Sequence, residues 1–197
     1  MYCLKLDGTG AEDNISVIER TKGSISSAEI QIEKLGNSSF EEIGKIIKNA
    51  DIPVTVSSRA DESLGENTKE LLLSAAERGA AYIDTDNRDL LSDEEFIMKV
   101  RSFGAHMIYS LYYNGVPDNL WEEVDSAYRF ASRAVSRCAS AFPAASRSVL
   151  QPGCVVKAVC LLRGVEDALG LCRTADRLSH IERKLILGEG EYALFSH

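Results

Sequence analysis

The chain has 197 residues, 45% hydrophobic and 26% charged, an ordinary soluble balance and enough for one domain with its own core. Its formal net charge of −8 disfavours duplex nucleic acid and anionic membranes as partners, because both recruit basic surfaces. No apolar stretch approaches the roughly 18 residues that span a bilayer. The start, Met1-Tyr2-Cys3-Leu4-Lys5-Leu6-Asp7, lacks the basic and long apolar regions of a signal peptide, so a cytoplasmic protein is expected. The five cysteines, Cys3, Cys138, Cys154, Cys160 and Cys172, form no Cys-x-x-Cys pair and read as reduced thiols. His106, His180 and His197 are scattered without metal-ligand spacing, so no metal is expected.

In chain order, Tyr2 to Leu6 reads as a strand. Ala28 to Glu33 alternates with period two, which puts Glu29, Gln31 and Glu33 on one face of a second strand. Phe40 to Lys48 is helical, with Ile43, Ile46 and Ile47 on one side and Ser38 or Ser39 as N-cap. Ile52 to Ser57 is a strand with Pro53 near its start. Thr68 to Arg78 is an amphipathic helix closed by Gly79, and Ala80 to Thr85 is the next strand. Asp93 to Ser102 is helical, and Ala105 to Leu111 is a strand. Asn119 to about Arg137 is a long helical pattern, one helix or a broken pair. Val155 to Leu162 is a strand, Val165 to Thr174 a helix, and Leu185 to Leu187 begins a last strand.

Strands alternating with helices at this spacing predict βα units and parallel pairing. Neither a Gly-x-Gly-x-x-Gly turn nor a phosphate loop is present, which leaves a doubly wound nucleotide fold without its signature. The alternative closure is a (β/α)8 barrel, where chemistry gathers at the C-terminal strand ends. Polar residues fall there: Glu29 and Gln31, Ser57, Asp84 and Asp86, Ser110 and Tyr112, and Lys157. The strands number about seven, one short of a full barrel, with no repeat or linker, so residues 1–197 read as a single domain.

Lys157 lies in the apolar, β-branched run Val155-Val156-Lys157-Ala158-Val159. A charged amine is expensive to bury there, and burial favours its neutral form. A neutral amine condenses with a ketone to give a Schiff base. The competing reading is an edge-strand lysine that snorkels to water. Cys160, three residues on, falls on the opposite strand face and reads as packed core. Glu122, Glu123, Arg129 and Arg133 read as a solvated helix face.

Five ordered segments resemble the type I 3-dehydroquinate dehydratase family. Ala28 to Leu35 (AEIQIEKL) is similar to the family's Glu-x-Arg-x-Asp strand, and Ile52 to Arg59 (IPVTVSSR) to its Thr-x-Arg strand. Leu72 to Asp86 resembles the helix and strand ending in Gly-Ala-Asp-Tyr-Val-Asp-x-Glu. Ser110 to Pro117 (SLYYNGVP) is similar to Ser-Tyr-His-Asp-Phe-x-x-Thr-Pro. Val155 to Leu171 resembles the strand with the Schiff-base lysine and the Glu-Asp-x-Leu-x-Leu helix after it. The resemblance implies a (β/α)8 TIM barrel, incomplete or modified at its C-terminal end, acting as a homodimer without metal or cofactor. It implies a carbon-oxygen lyase of the shikimate pathway that converts 3-dehydroquinate to 3-dehydroshikimate. Lys157 takes the place of the imine-forming lysine, and Tyr112 that of the acid/base histidine. Glu29, Gln31, Ser57 and Asp84 take substrate-binding positions.

Several of these residues depart from the family pattern. A phenol, with pKa about 10, is a poor proton shuttle at neutral pH. Gln31 and Ser57 stand where the family has arginines, and neither supplies a charged fork. Arg59 substitutes only if its strand slips by two residues. At the C-terminus, one alignment makes Leu178-Ser179-His180 the family's Ser-Arg turn and Leu187 to Phe195 the last strand. The other makes Leu185 to Glu191 the seventh strand. Two alternative functions fit these departures: a non-catalytic dehydroquinase-like barrel, or a Schiff-base lyase or aldolase acting on a different carbonyl substrate.

Overall fold

The computed structural model describes residues 3–35, 39–60, 67–140 and 154–193. The chain forms two compact units, Met1–Met107 and Ile108–His197.

The first unit runs β1 (Cys3–Leu6), α1 (Ala11–Thr21), β2 (Ser27–Gln31), α2 (Phe40–Asn49), β3 (Val54–Ser58), α3 (Thr68–Glu77), β4 (Tyr82–Thr85), α4 (Arg88–Ser92) and α5 (Glu94–Ser102). β1, β2, β3 and β4 pair in that order, all parallel. Each parallel pair needs a crossover, and helices supply it. α2 starts where Ser39 Oγ accepts the Glu42 N–H at 3.2 Å, and it buries Ile43 and Ile46. Ile47 is only half-buried, and Ser38 lies outside the described residues. α3 ends at Gly79, whose φ of +98° closes a left-handed cap that a Cβ would strain. α3 packs on β3 and β4, over a core that includes Val54, Val56, Leu72, Ala75 and Ile83.

The second unit holds most of β5 (His106–Tyr113), then α6 (Leu120–Ser140), β6 (Val155–Leu161), α7 (Val165–Arg177) and β7 (Lys184–Glu189). β6 pairs in parallel with β5 on one side and β7 on the other. Val156, Ala158 and Cys160 on β6 pack with Leu120 and Val124 of α6 and Ala168 and Leu171 of α7. Tyr109, Leu111 and Tyr113 of β5 join that layer.

Several sequence expectations are corrected. β2 stops at Gln31, and Ile32–Lys34 turn into a short 3-10 helix, so Glu33 leaves the strand face it was expected to share. β3 begins at Val54, because Pro53 cannot donate to the ladder. β5 runs two residues past Leu111 and so carries Tyr112 within the strand. α4 was not foreseen; Asn87 caps it by accepting the Asp89 and Leu90 N–H groups at 2.9 and 3.3 Å. α6 is one helix. β7 matches the alignment that makes Leu185 to Glu191 the seventh strand. Gly190, with φ +97°, then turns the chain away, so no strand continues from Leu187 into residue 193. Leu194 and Phe195 lie outside the described residues, as do Tyr2 and residues 141–153 of the long segment before β6.

Candidate functional site

In the first unit the polar residues form a row set by strand register. Gln31 is opposite Ser57, and Ser57 is opposite Asp84. Register partners share a face, so all three side chains issue from one face at the C-terminal ends of β2, β3 and β4. All three are buried: Gln31 at 3% exposure, Ser57 at 4% and Asp84 at 1%. Glu29, two residues back on β2, joins this face and accepts the Ser57 hydroxyl at 2.9 Å. The register also shows that β3 has not slipped by two, so Ser57, and not Arg59, occupies the row.

The opposite strand face carries Ile30, Val56 and Ile83, each at most 1% exposed. That division explains the local sequence. Apolar β-branched residues alternate with polar ones because one face meets helices and the other does not.

Beyond the strand ends the loops are fastened by carboxylates. Glu33 Oε1 accepts the Ser58 hydroxyl at 2.5 Å and the Arg59 backbone N–H at 3.0 Å. Asp86 Oδ1 accepts the Ala60 N–H at 2.7 Å. Asp86 thus holds the β3 loop, and Asp84 alone of the two is fully buried at the strand end.

In the second unit Lys157 is the third of the seven residues of β6, opposite Ser110 on β5 and Leu185 on β7. It is 6% exposed and lies on a strand paired on both sides, so the edge-strand reading does not hold. Ser110 beside it is 1% exposed. Tyr112 shares the Lys157 face one step nearer the C-terminal end, opposite Val159, and is half-buried. His106 is at the other end of β5, where its ring meets Tyr82 with centroids 5.7 Å apart. Cys160 is on the core face, as expected, and has no exposed surface. Burial, with Asp167 nearby, pushes its thiol up to about 12.

The expected solvated face of α6 is not uniform. Glu123 accepts the Tyr113 hydroxyl at 2.5 Å and the Asn119 amide at 3.1 Å. Arg129 reaches Asp125 at 2.8 Å. The sequence reading also missed Arg163, just past β6, whose guanidinium donates to Asn114 Oδ1 at 2.9 Å. The signal available was the Asn114-Gly115 pair straight after β5. Among the described residues no cluster of three His, Cys, Asp or Glu side chains is placed to hold a metal ion. No described helix is long and apolar enough to cross a membrane.

No family model and no curated protein sequence matches this chain. Solved structures do. The 3-dehydroquinate dehydratase of Aquifex aeolicus superposes over 98% of this chain and 82% of its own, with TM-score 0.71 and 19% identity. That of Geobacillus kaustophilus covers 97% and 74%, with TM-score 0.74 and 12% identity. The type I enzyme of Clostridium difficile, solved with covalently modified comenic acid, covers 98% and 77%, with TM-score 0.67 and 18% identity. The chain therefore has a dehydroquinase-like α/β fold of the TIM-barrel type. Its described residues supply seven parallel strands, one fewer than a closed (β/α)8 barrel.

Proposed function

We propose that this chain is a carbon-oxygen lyase that dehydrates 3-dehydroquinate through a Schiff base on Lys157. The carrying observation is Lys157 itself: a lysine 6% exposed, inside β6, with paired strands on both sides and a serine opposite. Burial disfavours an ammonium, and the neutral amine is the nucleophile. A lysine kept at such a site for packing alone would be replaceable by an aliphatic residue at a gain in stability.

The chemistry follows from the imine. The Lys157 amine adds to the C3 ketone and expels water, leaving an iminium that withdraws electrons from C2. Tyr112 is assigned the proton transfer: as phenolate, the form a phenol of pKa about 10 takes at alkaline pH, it accepts the C2 proton, and as phenol it protonates the departing C1 hydroxyl. The C1–O bond breaks, water leaves, and a double bond forms between C1 and C2. Hydrolysis of the imine consumes one water and returns the free amine, so the net loss is one water. In the first unit, Gln31, Ser57 and Asp84 are buried and Glu29 is half-buried, and we assign these four the substrate-binding role that the resemblance implies, as hydrogen-bonding partners for hydroxyl groups.

The test is intact-mass analysis after incubation with 3-dehydroquinate and borohydride, which reduces an imine to a stable secondary amine. The expected result is one adduct, located on Lys157, and none in Lys157→Ala. An adduct lighter by one water than the trapped substrate shows that elimination has occurred. A folded protein without an adduct, or dehydration undiminished in Lys157→Ala, overturns the proposal. A panel of keto acids and sugar phosphates in the same assay identifies a different carbonyl substrate.

A further inference from the structure

We propose that Arg163, pre-oriented by Asn114, binds the carboxylate of the compound that Lys157 attacks. This rests on the reading of Lys157 given above and adds the group that recognises the substrate's charge. The need for such a group is visible in the sequence, since Gln31 and Ser57 offer no cation.

Three observations place it at Arg163. The first is position. β6 runs from Val155 through Lys157 to Leu161, and Arg163 is two residues past its C-terminal end. That end of a βα unit is where loops assemble binding sites. The described segments following β5, β6 and β7 are residues 114–119, 162–164 and 190–193, and Arg163 is the one cation among them.

The second observation is that both ends of the residue are fixed. Its backbone N–H donates to Asp167 Oδ2 at 2.7 Å, which locks the turn into α7. Its guanidinium donates to Asn114 Oδ1 at 2.9 Å, across 49 residues of sequence. Asn114 is followed by Gly115, whose φ of +130° makes the turn out of β5 in a conformation that strains any residue with a Cβ. A flexible arginine pays rotamer entropy to grip an anion, and one already held pays less.

The third is what the guanidinium lacks. Arg163 makes no ion pair among the described residues, and it is exposed. Asn114 is neutral and occupies one of five N–H donors. Asp167 Oδ2 takes the Arg163 backbone N–H, and no ion pair joins that carboxylate to the guanidinium. A carboxylate can therefore be gripped by two parallel N–H groups, as arginine prefers.

The experiment is calorimetric titration with quinate, which has a hydroxyl in place of the ketone and cannot form an imine. Wild type, Arg163→Gln, Arg163→Lys and Asn114→Ala are compared, each checked for its native circular dichroism. Arg163→Gln should weaken quinate at least tenfold, Arg163→Lys and Asn114→Ala less. Quinate methyl ester, lacking the charge, should bind wild type and Arg163→Gln alike. Equal quinate affinity in wild type and Arg163→Gln overturns the assignment, and so does a wild type that binds no quinate. Borohydride trapping with 3-dehydroquinate, run in parallel, reads Lys157 separately. Quinate binding that depends on Arg163 without any Lys157 adduct refutes the Schiff-base reading and leaves the carboxylate site standing. An adduct with quinate binding indifferent to Arg163 does the reverse.

Discussion

Strand β6 presents a lysine to one side and a cysteine to the other, and their reactivities should differ accordingly. Cys160 has no exposed surface. Burial first, and Asp167 second, raise its thiol from 9.0 to about 12. Only the thiolate alkylates. At about pH 8 a thiol at 9.0 is roughly one-tenth ionised, and one at about 12 is ionised to about one part in 10,000, a ~1,000-fold reduction in the reactive form. Cys3 and Cys172 are exposed, whereas Cys154 is buried like Cys160. Iodoacetamide labelling of native protein, quenched over time and read by peptide mass spectrometry, should modify Cys3 and Cys172 early. Cys160 should follow about three decades later, and denaturant should abolish the gap. The sign of the pH effect follows from the same shift. The folded thiol is raised above its unfolded value, so its contribution to stability is complete below pH 9.0 and is lost as pH rises toward about 12. Labelling of Cys160 within tenfold of Cys172 under native conditions would refute the assignment of the two faces.

Two further outcomes are expected from the first unit. Asn14 is 1% exposed and makes three hydrogen bonds to the loop after β1: its Oδ1 accepts Gly8 N–H at 3.0 Å, and its Nδ2 donates to Gly8 and Gly10 carbonyls at 2.9 Å each. At about 1 kcal/mol net per bond, Asn14→Ala should cost about 2–3 kcal/mol by urea denaturation. A Cβ on Gly8 would lie 2.7 Å from Asn14 Oδ1 and 3.1 Å from Asp13 Cβ, so Gly8→Ala should cost about 1–3 kcal/mol alone and clearly less in the Asn14→Ala background, where only the Asp13 contact remains. Additive costs would disprove the contact. Asp93 caps α5, accepting Phe96 N–H at 3.0 Å and Lys69 Nζ at 2.6 Å, and these bonds, Lys69 first, lower its carboxyl from 3.8. A lowered folded value stabilises above pH 3.8 and the gain is lost as pH falls through it. Asp93→Ala should therefore cost about 1 kcal/mol near neutrality and converge with wild type in acid-unfolding curves below pH 3.8; a constant gap would exclude the cap.

Much of the fold was legible because its determinants are local. The α2 cap at Ser39 and the Gly79 stop of α3 are readable within a turn of sequence. Alternation on β6 separates Lys157 from Cys160 without reference to any other strand. Local reading failed where a period continues past its structure. Ala28 to Glu33 alternates for six residues, yet the chain turns into a 3-10 helix after Gln31. Glu33 then serves Ser58 and Arg59 and does not share a face with Glu29. Period two records that alternate residues are polar, and it cannot record where the backbone stops being extended.

The candidate site shows the same division between local and long-range information. Gln31, Ser57 and Asp84 could each be placed near a strand end, but only parallel register sets them in one row. Register depends on which strands pair and on the residue at which each begins, and here Pro53 moved one start by two positions. The bond from Arg163 to Asn114 is further still from sequence, since neither residue has a pattern that names the other. It exists because β5 and β6 are paired neighbours, with Tyr113, the last residue of β5, opposite Cys160, the last but one of β6, so that their exits lie side by side. What a carbonyl substrate's carboxylate requires is a held cation at the exit end of the lysine strand, and a loop can supply that as well as a neighbouring strand. Gln31 and Ser57, which carry no charge, therefore do not by themselves argue against the carboxylate site proposed at Arg163.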